Sequence, residues 1–163
     1  MKTTFNKIAG VILFSAIVLA VSSLFTGCSK DNASVAVSVT YNLSGNASGA
    51  QAVPASSNNN GSGNMSGTYN SGTKVMSYTT TWTNLSGAPI SGGLYTGAVG
   101  EVGTSIAIWS LSSGLSASGT FTTSTTLNAD QEAKLLAGKC YYILGTTANA
   151  SGEIRGQITA TAH

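Results

Sequence analysis

From residue 35 onward the chain is written in alternation. Val35, Val37, Val39, Tyr41 and Leu43 are separated by Ala36, Ser38, Thr40 and Asn42. Successive side chains of an extended strand point to opposite faces, so a period of two predicts a half-buried strand. The same pattern recurs downstream. Residues 65–69 and 74–85 predict two strands joined through Asn70-Ser71-Gly72, with Met76, Tyr78, Thr80 and Trp82 on one face of the second. Residues 104–111, 116–126, 139–146 and 153–161 predict four more. One helix breaks the series: Asn128 can cap residues 129–137, Gln131 can complete a capping box and Gly138 can end it. Asp130 and Glu132 at its start and Lys134 near its end suit the helix dipole. Residues 45–63 and 86–103, rich in Gly, read as loops, the second with room for a short strand. About seven short strands and one small helix predict an all-β fold, an antiparallel Greek-key or Ig-like β-sandwich or barrel.

The first 34 residues follow other rules. Lys2 and Lys7 precede an uncharged apolar run over residues 8–21, and Leu24-Phe25-Thr26-Gly27-Cys28 follows it. This is the order of an export signal, and the run is short of the roughly 20 apolar residues of a membrane span. The ending resembles the lipobox of bacterial lipoproteins, whose cysteine is acylated and becomes the new N-terminus. The resemblance implies a signal helix removed at residues 1–27, lipid attachment at Cys28 and a tether over 28–34. It leaves a β-domain over 35–161 that meets the membrane through its lipid. Two acyl chains anchor stably where one does not. Lys30 and Asp31 are similar to the charged tract behind the acylated cysteine of surface lipoproteins of Bacteroidetes type. The expected location is the cell envelope, lipid-anchored to the outer membrane, on its periplasmic or outer side.

Removal of residues 1–27 balances the charge. Lys30, Lys74, Lys134, Lys139 and Arg155 face Asp31, Glu101, Asp130, Glu132 and Glu153. No basic surface remains to follow a phosphate backbone, so nucleic acid is not an expected partner. With Cys28 consumed by lipid, Cys140 has no disulfide partner and is expected as a small buried hydrophobe. The only histidine is His163, the last residue, so no serine or cysteine has a base for nucleophilic catalysis. A zinc or copper site needs several converging imidazole or thiolate ligands, which the chain lacks. The glycines of residues 92–103 come without Lys or Arg and open no helix, unlike a phosphate loop. Trp82 and Trp109 are expected in the core, with a sugar-binding platform as the alternative. Neither an enzyme nor a cofactor is expected.

Five segments carry a more specific likeness. They are Gly49-Ala50-Gln51-Ala52-Val53-Pro54, Thr83-Asn84-Leu85-Ser86-Gly87, Leu135-Leu136-Ala137-Gly138, Cys140 to Thr147, and Asn149 to Ile158. Together they resemble the CHRD domain, named after chordin, over residues 35–160. The string Gly152-Glu153-Ile154-Arg155-Gly156-Gln157 is the most specific part. On a strand it places Ile154, Gly156 and Ile158 on one face and Glu153, Arg155 and Gln157 on a polar one. That polar face is expected to hold an ion pair or an arginine-to-carbonyl clamp, with a ligand site as the alternative. The resemblance also implies histidines that this chain lacks. Gly93 and Tyr95 stand where family members carry His-x-His, Gly145 stands at a further histidine, and Ala52 replaces a glutamate. The likeness of the family to copper/zinc superoxide dismutases therefore implies no metal chemistry here. No activity comes with the resemblance. The expected function is a lipid-anchored envelope protein that binds an unknown protein or glycan or serves as structure. A dismutase-like redox protein and a carbohydrate-binding module are the alternatives.

Overall fold

The computed structural model describes residues 37–163. The expected signal segment, Cys28, the expected tether, Val35 and Ala36 lie outside the described residues. Nine strands and one helix follow in order: β1 Thr40–Ser48, β2 Ser62–Asn70, β3 Val75–Thr83, β4 Pro89–Thr96, β5 Ser105–Ile108, β6 Gly119–Thr126, α1 Ala129–Leu136, β7 Cys140–Thr146, β8 Ile154–Gln157 and β9 Thr159–Ala162. They form one antiparallel sheet in the order β5-β4-β7-β8-β1-β2-β3-β6, with β9 also on β1. The sheet curls into a nearly closed barrel. After the β1-β2-β3 meander the chain crosses over to build β4 and β5, then returns with β6 beside β3. It crosses again through α1 to lay β7 beside β4.

Three expected boundaries move, each for a physical reason. The first strand starts at Thr40, leaving Val37 81% exposed, and runs on through Leu43, Gly45 and Ala47, all buried. Small residues that read as loop instead make room: the Tyr142 hydroxyl donates to the Gly45 carbonyl at 3.1 Å. The glycine-rich stretch after β3 becomes the eight-residue strand β4 between β5 and β7. A Cβ on Gly92 would sit 2.6 Å from the Trp109 ring, so that glycine serves packing and not a turn. The last strand divides into β8 and β9, yet one register spans both, with Ala47 opposite Gly156 and Ser44 opposite Thr159. The α1 capping box forms as expected, with Asn128 and Gln131 each accepting the other's backbone N–H.

Inside, one tryptophan links strands that the ladder does not. Trp109 follows β5; its backbone N–H reaches the Gly92 carbonyl at 2.9 Å and its indole N–H reaches the Tyr78 hydroxyl at 2.8 Å. Its ring stacks on Phe121 of β6 at 5.1 Å between centroids and on Tyr142 of β7 at 6.4 Å. The edge strands β5 and β6 share no hydrogen bonds, so this ring helps to span the gap between them. Met76, Tyr78, Thr80 and Trp82 all face inward as their spacing implies. Outside, the strands β1, β2, β3, β6 and β9 carry no charged residue. Thr159, Ser44, Ser66, Thr79 and Thr122 form one row across them, and Thr161, Asn42, Thr68, Ser77 and Ser124 the next.

Truncating a buried aromatic ring costs about 3–5 kcal/mol. Trp109→Ala is expected to lower the unfolding free energy by that amount in urea titration. A loss below about 1 kcal/mol would show that the ring does not hold the barrel together.

Candidate functional site

The string from Gly152 to Gln157 supplies both buried charges of the described fold. Gly152 sits at φ 142°, in the region that favours glycine, and a Cβ there would overlap the Ile143 side chain. The chain then drops into the sheet, with the Glu153 N–H donating to the Leu144 carbonyl at 2.7 Å. The carboxylate of Glu153 is fully buried and has no cation beside it among the described residues. Donors replace the cation. One oxygen accepts from Asn58 Nδ2 at 2.5 Å and the Ser86 backbone N–H at 2.6 Å. The other accepts from the Ser86 hydroxyl at 2.5 Å and from the Thr146 hydroxyl. Burial pushes its pKa up, but the bonds from Ser86, Thr146 and Asn58 outweigh burial and bring it down to about 2.

Two residues on, Arg155 is 2% exposed. Its guanidinium lies 3.6 Å above the Tyr141 ring centroid, and it donates to the carbonyls of Glu101 and Ala98, both at 2.7 Å. Gln157 extends the clamp: its amide N–H groups reach the carbonyls of Gly97 and Gly138, both at 2.8 Å. Between them, Gly156 passes close to Tyr142, where a Cβ would come 2.6 Å from the ring. Ile154 and Ile158 point into the core as expected. Loops cover the polar face. Loop 97–103 is held over it by Arg155 and Gln157, and Glu153 draws in loops from the other side, so both charges are interior. The arginine-to-carbonyl clamp is present, and Glu153 and Arg155 do not pair. Among the described residues the ion pair is Lys74–Glu132 at 2.5 Å.

The positions of the missing histidines meet on this same outer face of β4, β7 and β8. Register sets Ser91 against Gly145, Gly93 against Ile143 and Tyr95 against Tyr141, with Arg155 next to Ile143 on the far side. Side chains have closed over the space. A Cβ on Gly93 would meet the Ala107 carbonyl at 2.5 Å, and one on Gly145 would meet the Ser91 hydroxyl at 2.5 Å. Tyr95 stacks on Tyr141 at 5.5 Å. What remains is a cleft of ≈ 120 Å³ whose walls include Val53, Tyr95, Val102, Tyr141, Ile143 and Arg155. Its chemistry is one cation set among aromatic, aliphatic and polar groups, Ser151 and the Gly103 backbone among them.

The other singled-out residues go elsewhere. Trp82 and Trp109 are 1% and 6% exposed, and the Trp82 indole donates to the Ser116 carbonyl, so neither forms a sugar platform. Cys140 is buried, and burial pushes its thiol pKa up to about 11 despite Lys134 nearby. Asp130 and Glu132 occupy the first turn of α1. No three His, Cys, Asp or Glu side chains among the described residues converge as a metal site would require. Asn58, Ser86, Thr146 and Tyr141, which partner the buried charges, were not singled out as site residues. Ser86, Thr146 and Tyr141 nevertheless fall inside the segments that carry the family likeness. A family model, the CHRD domain, matches residues 43–158, more than two thirds of the chain. No curated protein and no solved structure matches it.

A carboxylate whose folded pKa lies below its ordinary value stabilises the fold fully above that ordinary value and loses the contribution as pH falls. For Glu153 the loss is expected between about pH 4.5 and pH 2, and amounts to about 3 kcal/mol. Glu153→Gln puts an amide donor among donors and is expected to cost about 3–5 kcal/mol at pH 7 while flattening that acid limb. Denaturant titrations of both proteins from pH 2 to 7 check it; an unchanged acid limb in the variant would refute the assignment. Native Cys140 is expected to resist iodoacetamide, read by mass spectrometry of its peptide, until the protein unfolds.

Proposed function

Because the chain belongs to the CHRD-domain family, we propose that it is a lipid-anchored protein of the cell envelope whose β-domain works by binding or as structure, without catalysis. The observation that carries the non-catalytic reading is the use of the family string. Glu153, Arg155 and Gln157 all make hydrogen bonds within the fold, and no serine or cysteine among the described residues has a histidine base beside it. Support for the anchor comes from the sequence alone: Lys2 and Lys7, the apolar run and Cys28 closing Leu24-Phe25-Thr26-Gly27. On this reading the outer membrane holds the protein through Cys28, and the partner of the β-domain is a protein or a glycan. A glycan would have to be met by residues other than Trp82 and Trp109, which are interior.

Cys28→Ala is expected to abolish incorporation of labelled palmitate and to leave a protein of precursor size. Labelling and membrane fractionation unchanged from the wild type would overturn the anchor. Metal analysis of the purified protein is expected to find no stoichiometric copper or zinc; finding either would overturn the non-catalytic reading in favour of a redox one.

A further inference from the structure

The clamp at Arg155 leaves part of the guanidinium unused. An arginine side chain offers five N–H donors. Two of them meet the carbonyls of Glu101 and Ala98, and the other three have no acceptor among the described residues. Nor does a carboxylate lie within ion-pair distance of this buried cation. The nearest acidic side chain on the clamped loop, Glu101, turns its Oε2 back to the Ala98 N–H at 3.1 Å. Glu101 acts on this cation only from beyond contact; a buried charge with no counter-charge in contact is costly, and an incoming anion would reduce that cost. Arg155 is one of the residues that line the cleft, with Tyr95, Ile143, Ser151, Val53 and Val102.

We propose that this cleft is a binding site for a small carboxylate carried on a flat or apolar body. The statement rests on the binding reading above and gives it a ligand class. Three features select that class. The planar fork of arginine matches the two oxygens of a carboxylate. The half-buried Tyr95 and the aliphatic groups of Val53, Val102 and Ile143 offer contact to a ring or short hydrocarbon. A volume of ≈ 120 Å³ admits only a small molecule or the end of a larger one. A bulky, highly charged oxyanion would leave the apolar walls unused.

Benzoate is the probe, added to the purified full chain in detergent at constant ionic strength, with the melting temperature as readout. A saturable rise is expected, since a ligand that binds only the folded state raises its stability. Val102 is 75% exposed at the cleft, so its substitution does not disturb the core. Val102→Glu is expected to weaken benzoate at least tenfold and Val102→Lys to tighten it. Arg155→Lys keeps the charge and loses the fork, and is expected to abolish the saturable rise. Should that variant fail to fold, the two Val102 variants still decide. No saturable rise in the wild type, or equal benzoate affinity in Val102→Glu and Val102→Lys, would overturn the site. A rise with sulfate as large as that with benzoate would overturn the carboxylate assignment. None of these outcomes touches palmitate labelling at Cys28, so failure of the site and failure of the anchor are separate results.

Discussion

A carboxylate can be buried without a cation only where several donors converge on it, and the Glu153 site meets that condition with segments distant in sequence. Asn58 comes from the loop after β1, Ser86 from the loop after β3 and Thr146 from the end of β7. Removing any one leaves the charge partly unsolvated in a place water does not reach. The loops are therefore bound to one another through the anion as well as directly, by Asn58 Nδ2 donating to the Asn84 carbonyl at 2.9 Å and by the Ser86 and Thr146 hydroxyls at 2.9 Å. Asn58 passes the constraint on, since its Oδ1 accepts from the N–H groups of Asn60 and Gly61 and shapes the approach to β2. Arg155, on the same face two residues later, performs the opposite task with carbonyls. One short strand thus fixes a donor-rich group of loops with an anion and an acceptor-rich loop with a cation.

This division explains why two opposite charges so close in sequence do not neutralise each other. Pairing Glu153 with Arg155 would satisfy both side chains and release both groups of loops. Kept apart, each works as a fixed charge to which backbone and hydroxyl dipoles orient. The strand is held in the sheet by its ladder to β7 and by its pairing with β1, so the charges cannot move toward each other. Ile154 and Ile158, on the opposite face, lock it against the core.

Much of the fold was legible because alternation encodes it directly: the β2–β3 hairpin, the inward face of Met76, Tyr78, Thr80 and Trp82, and the Asn128 capping box. β4 was not legible. Its Ser91-Gly92-Gly93 reads as loop by propensity, and only the Trp109 ring, arriving from a distant segment, gives those glycines a strand role. The same limit hid the site. Period two sorts side chains onto faces but cannot say which loops will cover the second face, so the expected arginine-to-carbonyl clamp came without its partners. Their sequence did carry a signal in its specificity, and the partners Ser86, Thr146 and Tyr141 stood in the neighbouring family segments. Asn58, in a run of asparagines, carried none.

The hydroxyl rows on the outside of β1, β2, β3, β6 and β9 set how the domain meets its surroundings. Most soluble domains stay apart from their neighbours by repulsion between net charges, which salt screens and pH can cancel. Here that face presents Ser, Thr and Asn almost throughout, with Val75 at one end and His163 beside Asn42, and neighbouring side chains already bond to each other, as Thr79 to Thr122 at 2.9 Å and Asn64 to Asn46 at 2.8 Å. Hydration of neutral dipoles has no charge to screen and no proton to lose between acid and alkaline conditions. The hydroxyl rows themselves are thereby indifferent to ionic strength and acidity. What sensitivity the domain has to either lies in its few charges, above all in the carboxylate sealed within it.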